Sequence, residues 1–304
     1  MVLEGIHHVT AITADAPGNF DFYTRVLGLR LVKKTVNQDD PTVYHLFYGD
    51  DQGNPGFDLT FFEYPGMGPG HIGAGMVARV SFRVASIASL DFWDKRLTTE
   101  GISLIHAPDY LRFEDPEGLR LELSVADGRD RPLVAQSSGI PPDMALQGFA
   151  GVVAYSMDPA GSRTFLEQTL GFRPLDPLSY ESRGADRGNT YTYEQNSESG
   201  SGGAGTVHHV AWASRSEDHQ SWQQRILDSG ARPTPIIDRY YFRSIYFREP
   251  SGVLFEIATI GPGFGVDEPL DSLGERLALP PKFEHMRDQL EASLTPLQGG
   301  ASRP

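Results

Sequence analysis

Two pairs of adjacent histidines are the residues of this chain most suited to chemistry. His7-His8 and His208-His209 are each followed by valine, and each pair lies in a short β-rich run. Neutral imidazole is a common ligand of transition metals, and a nearby carboxylate would complete a site with open positions. The 304 residues include no cysteine, which excludes thiolate ligands, disulfides and a cysteine nucleophile. A metal site built from histidine and carboxylate is therefore the first hypothesis.

An internal duplication indicates which carboxylates could face these histidines. Three patterns recur in the same order in the two halves of the chain. The matched residues are Phe22, Leu27-Gly28 and Arg30 with Phe165, Leu170-Gly171 and Arg173; Trp93, Arg96 and Gly101 with Trp222, Arg225 and Gly230; and Phe113, Pro116, Gly118 and Glu122 with Phe247, Pro250, Gly252 and Glu256. Three ordered matches predict that the chain is a duplicated pair of modules.

Each of the four modules has the same predicted order of elements. A β-rich run opens it at residues 5–13, 77–84, 149–156 and 207–213, a helix ended by glycine follows, and two or three strands come last. One βαβββ unit cannot close a core alone, so we expect the modules to pair into curved sheets around a metal-binding cavity. The predicted fold class is α+β, with four βαβββ modules in two tandem halves.

Composition marks the predicted boundaries between these units. Residues 1–126 form the N-terminal half with modules one and two, and the Gly-, Pro-, Ser- and Asp-rich residues 127–147 form a linker. Residues 148–260 form the C-terminal half with modules three and four. Residues 261–304 form a C-terminal extension, with an amphipathic helix around residues 283–294 that packs on the outside and a loose end. Within module three, the Gly/Ser-rich residues 196–205 predict a flexible loop.

The modules differ at the two positions that could bind metal. Modules one and four have the histidine pairs in their opening strands, whereas Arg79 and Gly151 fall nearest that position in modules two and three. Four residues after the turn glycine, module four has Glu256, module two has Glu122 and module one has Thr60, while module three offers no obvious equivalent. We interpret Glu122 as a relic of the repeat that Arg79 neutralises.

Counting ligands favours one pairing of modules. Modules one and four together give His8, His209 and Glu256, with Thr60 leaving the fourth corner open, whereas the other pairings give at most two ligands. Two histidines and one carboxylate with open positions form the facial arrangement of non-haem Fe(II) oxygenases. A structural metal site would normally be closed by a fourth ligand.

Strand geometry suggests which histidine of each pair is the ligand. Neighbouring residues of a strand point to opposite faces, so one histidine per pair should ligate. We choose His8 and His209, because Thr10 would then share the cavity face with His8. His7 and His208 would line the site or support the ligands, and a local β-bulge could bring them close to the metal.

Composition also limits the partners. The formal net charge of −14 argues against nucleic acid or an anionic membrane surface, both of which require a basic face. No apolar run is long enough for a membrane span, and no secretory signal is visible at Met1, so we expect a cytoplasmic protein. The sequence leaves open whether the chain forms a homo-oligomer.

At this point the pattern resembles the vicinal oxygen chelate superfamily of glyoxalases, bleomycin-resistance proteins and extradiol dioxygenases, and within it the dioxygenases that cleave the ring of hydroquinones. The resemblance covers nearly the whole chain. The matching segments are Gly5-Ile6-His7-His8-Val9-Thr10, Gly205-Thr206-Val207-His208-His209-Val210, Asp238-Arg239, Tyr246-Phe247-Arg248-Glu249-Pro250-Ser251-Gly252, Phe255-Glu256, Gly261-Pro262-Gly263-Phe264, Asp267-Glu268-Pro269-Leu270 and Leu279-Pro280-Pro281. Enzymes of this superfamily that cleave catechols take their first histidine from module three, which has none here, so the resemblance favours a hydroquinone.

The resemblance implies a cofactor, a substrate class and a set of roles. His8, His209 and Glu256 would hold Fe(II), with Mn(II) as an alternative, and a small aromatic substrate and O2 would be the partners. The pocket would be lined by His7, Thr10, His208, Arg239 and Tyr246. Among these, Arg239 would stabilise the anionic ring, His208 would transfer a proton, and Tyr246 would hydrogen-bond a ring oxygen.

Two other functions fit parts of the pattern. A glyoxalase-type lyase or isomerase would use the same fold with Zn or Ni, but such sites usually take four protein ligands, and Thr60 is a poor one. A metal-free protein that binds an aromatic or drug-like ligand would be expected to have lost the metal ligands, whereas this chain has a full set. Metal analysis with an oxygen-uptake assay separates the dioxygenase from the glyoxalase-type enzyme, and anaerobic titration of the apo-protein with Fe(II) identifies the metal-free binder.

Overall fold

A computed structural model describes residues 1–297, which form two eight-stranded curved sheets with few helices. The first sheet has the strand order β14-β15-β16-β13-β1-β4-β3-β2. Its strands are β1 (Ile6–Thr13), β2 (Arg30–Val36), β3 (Tyr44–Gly49), β4 (Asp58–Glu63), β13 (Val207–Ser214), β14 (Ile237–Asp238), β15 (Arg243–Arg248) and β16 (Leu254–Thr259). These are the strands of modules one and four.

The second sheet has the order β10-β11-β12-β9-β5-β8-β7-β6 and is built from modules two and three. Its strands are β5 (Met76–Val84), β6 (Ile105–His106), β7 (Tyr110–Glu114), β8 (Arg120–Val125), β9 (Phe149–Ser156), β10 (Arg173–Pro174), β11 (Ser179–Arg183) and β12 (Gly188–Gln195). Each module thus supplies an opening strand and three further strands, as the repeat predicts. Each sheet takes one module from each half of the sequence.

Antiparallel pairing of opening strands joins the modules within each sheet. In the first sheet β1 pairs with β13, and in the second β5 pairs with β9. Each opening strand also pairs in parallel with the last strand of its own module, as β1 does with β4 and β13 with β16. This arrangement places the first and last strands of modules one and four side by side at the centre of one sheet.

All four opening strands are irregular at the same place. The β1–β13 register shifts between Ile6 and His8 and again opposite His208, and the β5–β9 register shifts at the equivalent residues Ala78 and Ala150. A residue inserted in this way makes a β-bulge, which bends the strand and redirects the neighbouring side chains. The duplication therefore extends to the backbone geometry of the histidine pairs.

The helices cover the sheets, and those of modules one and three include π-helical turns. Glycines with positive φ end all four helical segments, because an L-residue is strained in that conformation. The helices are α1 (Ala16–Asp21), which continues into a π-helical turn at Phe22–Val26; α2 (Ile87–Thr99); a 3-10 turn at Pro159–Ser162 with a π-helical turn at Phe165–Thr169; and α3 (His219–Asp228), preceded by a 3-10 turn at Ser216–Asp218.

The core lies between the sheets and these helices. Along β8, for example, Leu121 and Leu123 are fully buried, whereas Arg120, Glu122 and Ser124 on the other face are partly exposed. Trp93 of α2 and Trp222 of α3, matched in the repeat, are both buried at the centres of their helices. Burying one such side chain contributes about 1.5–3 kcal/mol, so the two tryptophans anchor the helices to the sheets.

The connecting segments are more ordered than their composition suggests. The Gly/Ser-rich residues 196–205 pair with the glycine-rich segment before β5 through bridges at Ala204, Ser201 and Ser199. A Cβ added at Gly73 would lie 2.2 Å from the backbone nitrogen of Gly200, so close approach explains the glycines better than flexibility.

The C-terminal extension packs against the core through the buried side chains of Leu277, Leu279, Leu290 and Leu294. It contains 3-10 turns at Phe264–Val266, Leu270–Ser272 and Pro281–Met286, followed by α4 (Arg287–Ser293). The predicted loose end at residues 299–304 lies outside the described residues. Within residues 1–297, none of the helices combines the length and apolarity that crossing a bilayer requires.

Candidate functional site

Three side chains predicted to bind metal converge in the first sheet. His8 and His209 approach through their Nε2 atoms, which are 3.2 Å apart, and Glu256 Oε2 lies 3.3 Å from His8 Nε2 and 3.0 Å from His209 Nε2. All three residues are buried. Within the part of the chain that the structure describes, no other group of three His, Asp or Glu side chains brings its ligand atoms this close together.

Strand pairing explains this convergence. His8 of β1 lies opposite Ala211 of β13, which pairs in turn with Glu256 of β16. His209 lies opposite Thr10. The three residues occupy adjacent strands of one curved sheet and point to the same face. Strand pairing alone therefore brings together three side chains that are far apart in sequence.

The surroundings of the Glu256 carboxylate indicate whether a cation fits between the three side chains. Ser244 donates a hydrogen bond to Oε1 at 2.5 Å, whereas Oε2 has no hydrogen-bond partner of acceptable geometry although it is fully buried. Burial alone would raise the pKa of Glu256, but His8 and His209 hold the pKa well below its usual range. An ionised, buried oxygen aimed at two imidazole nitrogens is costly without a positive partner. The donor set therefore fits a divalent metal ion.

The side of the site next to β4 offers hydroxyls in place of a fourth ligand. Thr60 sits opposite Thr10 in the parallel β1–β4 pair, in the position that corresponds to Glu256 in module four. The Thr10 and Thr60 hydroxyls are 2.8 Å apart, and Thr10 Oγ1 is 3.0 Å from His209 Nε2. Three strong ligands on one side and neutral hydroxyls on the other would leave coordination positions open.

His7 and His208 support the two ligand rings from behind. His7 Nδ1 lies 3.0 Å from His8 Nδ1, and His208 Nδ1 lies 2.8 Å from His209 Nδ1, so each contact is made on the side away from the metal-facing Nε2. Both supporting histidines sit at the β-bulges, where the alternation of faces is broken. Burial and the neighbouring His8 lower the pKa of His7 to about 3.

His208 differs from His7 in reaching solvent. It is the exposed residue of β13, yet the protein packed around its ring and the neighbouring His209 lower the pKa of His208 to about 4. The pKa of His208 is thus well below the ordinary value for histidine, because the side chain is crowded although part of its surface is accessible. Its role in proton transfer stays a prediction.

Arg239 and Tyr246 lie together at the rim of the site. Arg239 Nε donates to the Tyr246 hydroxyl at 3.3 Å, and the guanidinium forms two 2.8 Å hydrogen bonds to the carboxylate of Asp39. Burial and the nearby charge of Glu256 raise the pKa of Tyr246, which keeps its hydroxyl protonated at neutral pH. The Tyr246 ring packs edge-on against His209 at 5.7 Å. Both predicted lining residues are thus next to the metal ligands.

The cavity at this site is small and closed. Its volume is about 40 Å³, and its lining includes His8, His209, Arg239 and Tyr246 together with aromatic side chains. A cavity of roughly 150 Å³ is needed to hold benzene. The closure comes from the segment between β2 and β3, where Gln38 donates to the Arg239 carbonyl and Asp39 pairs with the Arg239 side chain. A ligand the size of benzene would fit only if this contact opened.

Sequence reasoning missed four residues of the site. Gln38 and Asp39 give no signal because their contacts with Arg239 span 201 and 200 residues. Ser244 could have been found, since it lies two residues before Tyr246 on the same face of β15. His45 lies on the cavity face of β3 with Phe47, and its Nε2 is 2.9 Å from Thr60 Oγ1.

The second sheet has the same geometry without the ligands. Arg79 lies 3.1 Å from Glu122, and Arg112 also pairs with Glu122 at 2.7 Å, so this carboxylate is neutralised as expected. A Cβ at Gly151 would lie 2.1 Å from Thr190 Oγ1, which leaves no room there for a histidine. The equivalent site in modules two and three is an ion-pair cluster.

Comparison with known proteins identifies the family. The profile of the Glyoxalase/Bleomycin resistance protein/Dioxygenase superfamily matches residues 5–123 and 148–257. The chain is 41% identical over 321 residues to MhqA of Bacillus subtilis (strain 168), provisionally named a ring-cleaving dioxygenase, with 98% of this chain and 100% of that protein covered. It is 31% identical to the chlorohydroquinone/hydroquinone 1,2-dioxygenase of Sphingobium indicum, with 95% of each chain covered.

Solved structures agree with this assignment. A crystal structure named as a provisional dioxygenase from Bacillus subtilis superposes with a TM-score of 0.91 at 40% identity and covers 98% of both chains. Glyoxalase I from Zea mays superposes with a TM-score of 0.60 at 16% identity, covering 84% of this chain and 92% of that one, which shows the shared fold. The chain belongs to the Glyoxalase/Bleomycin resistance protein/Dioxygenase superfamily.

Proposed function

We propose that this chain is an Fe(II)-dependent ring-cleaving dioxygenase that inserts both atoms of O2 into a dihydroxylated aromatic, specifically a hydroquinone. The observation that carries the proposal is the buried group of His8, His209 and Glu256, whose ligand atoms face a side bounded only by threonine hydroxyls. Relatives that span nearly the whole chain are named as dioxygenases, and one is named for hydroquinone substrates.

The metal would supply a Lewis-acidic and redox-active centre that binds the substrate hydroxyl and O2 together. The residues of this chain perform the other tasks. His7 and His208 hold the ligand rings through their Nδ1 atoms, and Ser244 orients the carboxylate of Glu256. Such contacts around the ligands tune metal affinity and ligand orientation.

The side chains at the rim of the site are suited to binding a negatively charged aromatic ring. Arg239 supplies a permanent positive charge, and Tyr246 remains a hydrogen-bond donor because its pKa is raised. Phe47, Phe62 and Phe242 line the cavity and provide apolar surface for the ring. The closed segment at Gln38 and Asp39 would exclude water once the substrate is bound.

Two features support a hydroquinone over a catechol. Module three, which carries the first histidine in catechol-cleaving members that the sequence resembles, has Gly151 at that position and no space for a side chain. The relative named for chlorohydroquinone and hydroquinone covers 95% of the chain. A glyoxalase-type reaction is less well supported, because the position that would supply a fourth ligand is Thr60.

The test is oxygen consumption by protein reconstituted anaerobically with Fe(II), and in parallel with Mn(II), across a panel of hydroquinones and catechols. We expect stoichiometric O2 uptake with hydroquinones. His209→Ala and Glu256→Gln should each abolish both turnover and iron retention. Glu122→Gln is the matched control in the second sheet and should leave both unchanged. Glyoxalase activity without O2 uptake, or full activity in either ligand variant, would overturn the proposal.

A further inference from the structure

We propose that Thr10, Thr60 and His45 form a proton relay that removes the proton lost by the substrate hydroxyl when it binds at the metal site. The inference rests on the proposed function and adds a path for this proton. His45 is the terminal acceptor, and the two threonine hydroxyls connect it to the open side of the metal site.

The three side chains form a continuous hydrogen-bonded chain. Thr10 Oγ1 lies 3.0 Å from His209 Nε2, the nitrogen that faces the metal position, and 2.8 Å from Thr60 Oγ1. Thr60 Oγ1 lies 2.9 Å from His45 Nε2. Each separation is within the range of a good hydrogen bond, so a proton can pass along the chain without movement of the backbone.

Neighbouring strands hold this chain in place. Thr10 pairs with Thr60 across β1 and β4, and β4 is antiparallel to β3, where His45 pairs with Phe62. The His45 ring packs against Phe47 at 4.0 Å and Phe62 at 4.4 Å between ring centroids. These contacts fix the ring and direct its Nε2 toward Thr60, while the ring itself lines the cavity.

The hydrogen bonds can all point in one direction. With His45 in the tautomer that carries hydrogen on Nδ1, its Nε2 accepts from Thr60, and Thr60 accepts from Thr10. Thr10 then has a lone pair for the substrate hydroxyl. On transfer, the substrate O–H bond breaks as a new O–H bond forms on Thr10, Thr10 passes its own hydrogen to Thr60, and Thr60 passes its own to His45. The products are a phenolate and an imidazolium, and no oxidant or reductant is needed.

The surroundings of His45 keep its ring uncharged before the substrate binds. Burial, followed by the nearby His8 and His209, holds the pKa of His45 well below its usual value, while Glu256 acts in the opposite sense and Arg239 in the same sense. The neutral ring has a lone pair on Nε2 that can accept the hydrogen bond from Thr60. The His45 side chain lines the cavity beside the metal site.

His208 is less well placed for this task. Its contact with His209 is between the Nδ1 atoms, on the side of that ring away from the metal position. A proton released at the metal position would have to pass the His209 ring to reach His208. The chain from Thr10 to His45 begins on the metal-facing side instead.

Anaerobic binding of nitrohydroquinone to Mn(II)-loaded protein tests the relay, because its anion absorbs at longer wavelength than the neutral form. The wild-type protein should convert the bound ligand to its anion within the mixing time of stopped flow. Thr60→Val removes the hydroxyl at nearly constant volume and should slow ionisation at least tenfold. Thr60→Ser restores the hydroxyl and should recover most of the rate.

His45→Phe keeps the aromatic packing but removes the acceptor, and it should also slow ionisation at least tenfold. Metal content should stay at one ion per chain in every variant, and His106→Phe, at an exposed histidine, is the control. Ionisation of the ligand at the wild-type rate in Thr60→Val overturns the relay. A wild-type protein that consumes no O2 with hydroquinones would overturn the proposed function as well, so the two failures are distinct.

Discussion

Ser244 gives a sharp test of how this protein controls metal affinity. Its hydroxyl donates to Glu256 Oε1 at 2.5 Å, and both side chains are fully buried. A hydrogen bond to a buried charged group contributes about 1.5–3 kcal/mol. Loss of a partner of this kind typically lowers metal affinity by roughly 10–100-fold, or about 1.4–2.7 kcal/mol. We therefore expect Ser244→Ala to weaken metal binding by one to two orders of magnitude.

The assay is competition of Fe(II) or Mn(II) binding against a chelator of known affinity, with denaturant unfolding of the apo-protein measured in parallel. Ser81 provides the matched control, because its hydroxyl donates to Glu122 Oε1 at 2.9 Å in the second sheet, where no metal is expected. Ser81→Ala should lower stability without changing metal affinity. If Ser244→Ala lowers apo-protein stability but leaves metal affinity within twofold of wild type, the orienting role of Ser244 is refuted.

Three further outcomes follow from the contacts described above. Asp39→Ala removes the ion pair between Arg239 and the exposed side chain of Asp39, and exposed pairs contribute about 0–1 kcal/mol. We therefore expect anaerobic substrate association, measured by stopped flow, to accelerate by up to about fivefold. An unchanged association rate would show that this contact does not control access to the cavity. Thr60→Glu adds a second carboxylate as a fourth ligand, so metal should be retained while O2 uptake falls at least tenfold; undiminished uptake would show that the side of the site at Thr60 is not open to O2 or substrate. Burial raises the pKa of Asp115 to about 6 despite its hydrogen bond from Tyr23, so its contribution to stability is present below about pH 4 and is lost as the pH rises to about 6. Between these two pH values, the free energy of unfolding of Asp115→Asn should rise by about 3 kcal/mol relative to that of the wild type, as measured by denaturant unfolding. A difference in unfolding free energy that does not change with pH would contradict the pKa shift.

The metal ligands were accessible to sequence reasoning because the duplication preserves strand register. The β-bulge recurs at Ala78, Ala150 and both histidine pairs, so equivalence in sequence is also equivalence in space. Once modules one and four were paired, alternation along β1 placed His8 and Thr10 on one face. The fold class followed from the same repeat.

Other parts of the site depend on contacts that no local pattern encodes. His45 belongs to the site because β3 pairs with β4 in one register, and a shift of one residue would turn its side chain to the opposite face. The closure by Asp39 and Arg239 joins segments 200 residues apart. Residues 196–205 were interpreted as a flexible loop because composition alone does not distinguish close packing, such as that of Gly200 against Gly73, from mobility.

The first sheet combines strands from the beginning of the chain with strands from near its end, and this has a consequence for biosynthesis. His8 is made near the start of translation, whereas Glu256 leaves the ribosome only after more than four-fifths of the chain has been synthesised. Until β13 and β16 emerge, β1 has β4 beside it but exposes its other edge, and the nascent N-terminal half holds a single metal ligand. We therefore expect metal loading to be a late event in folding, and neither half expressed alone to acquire the ion.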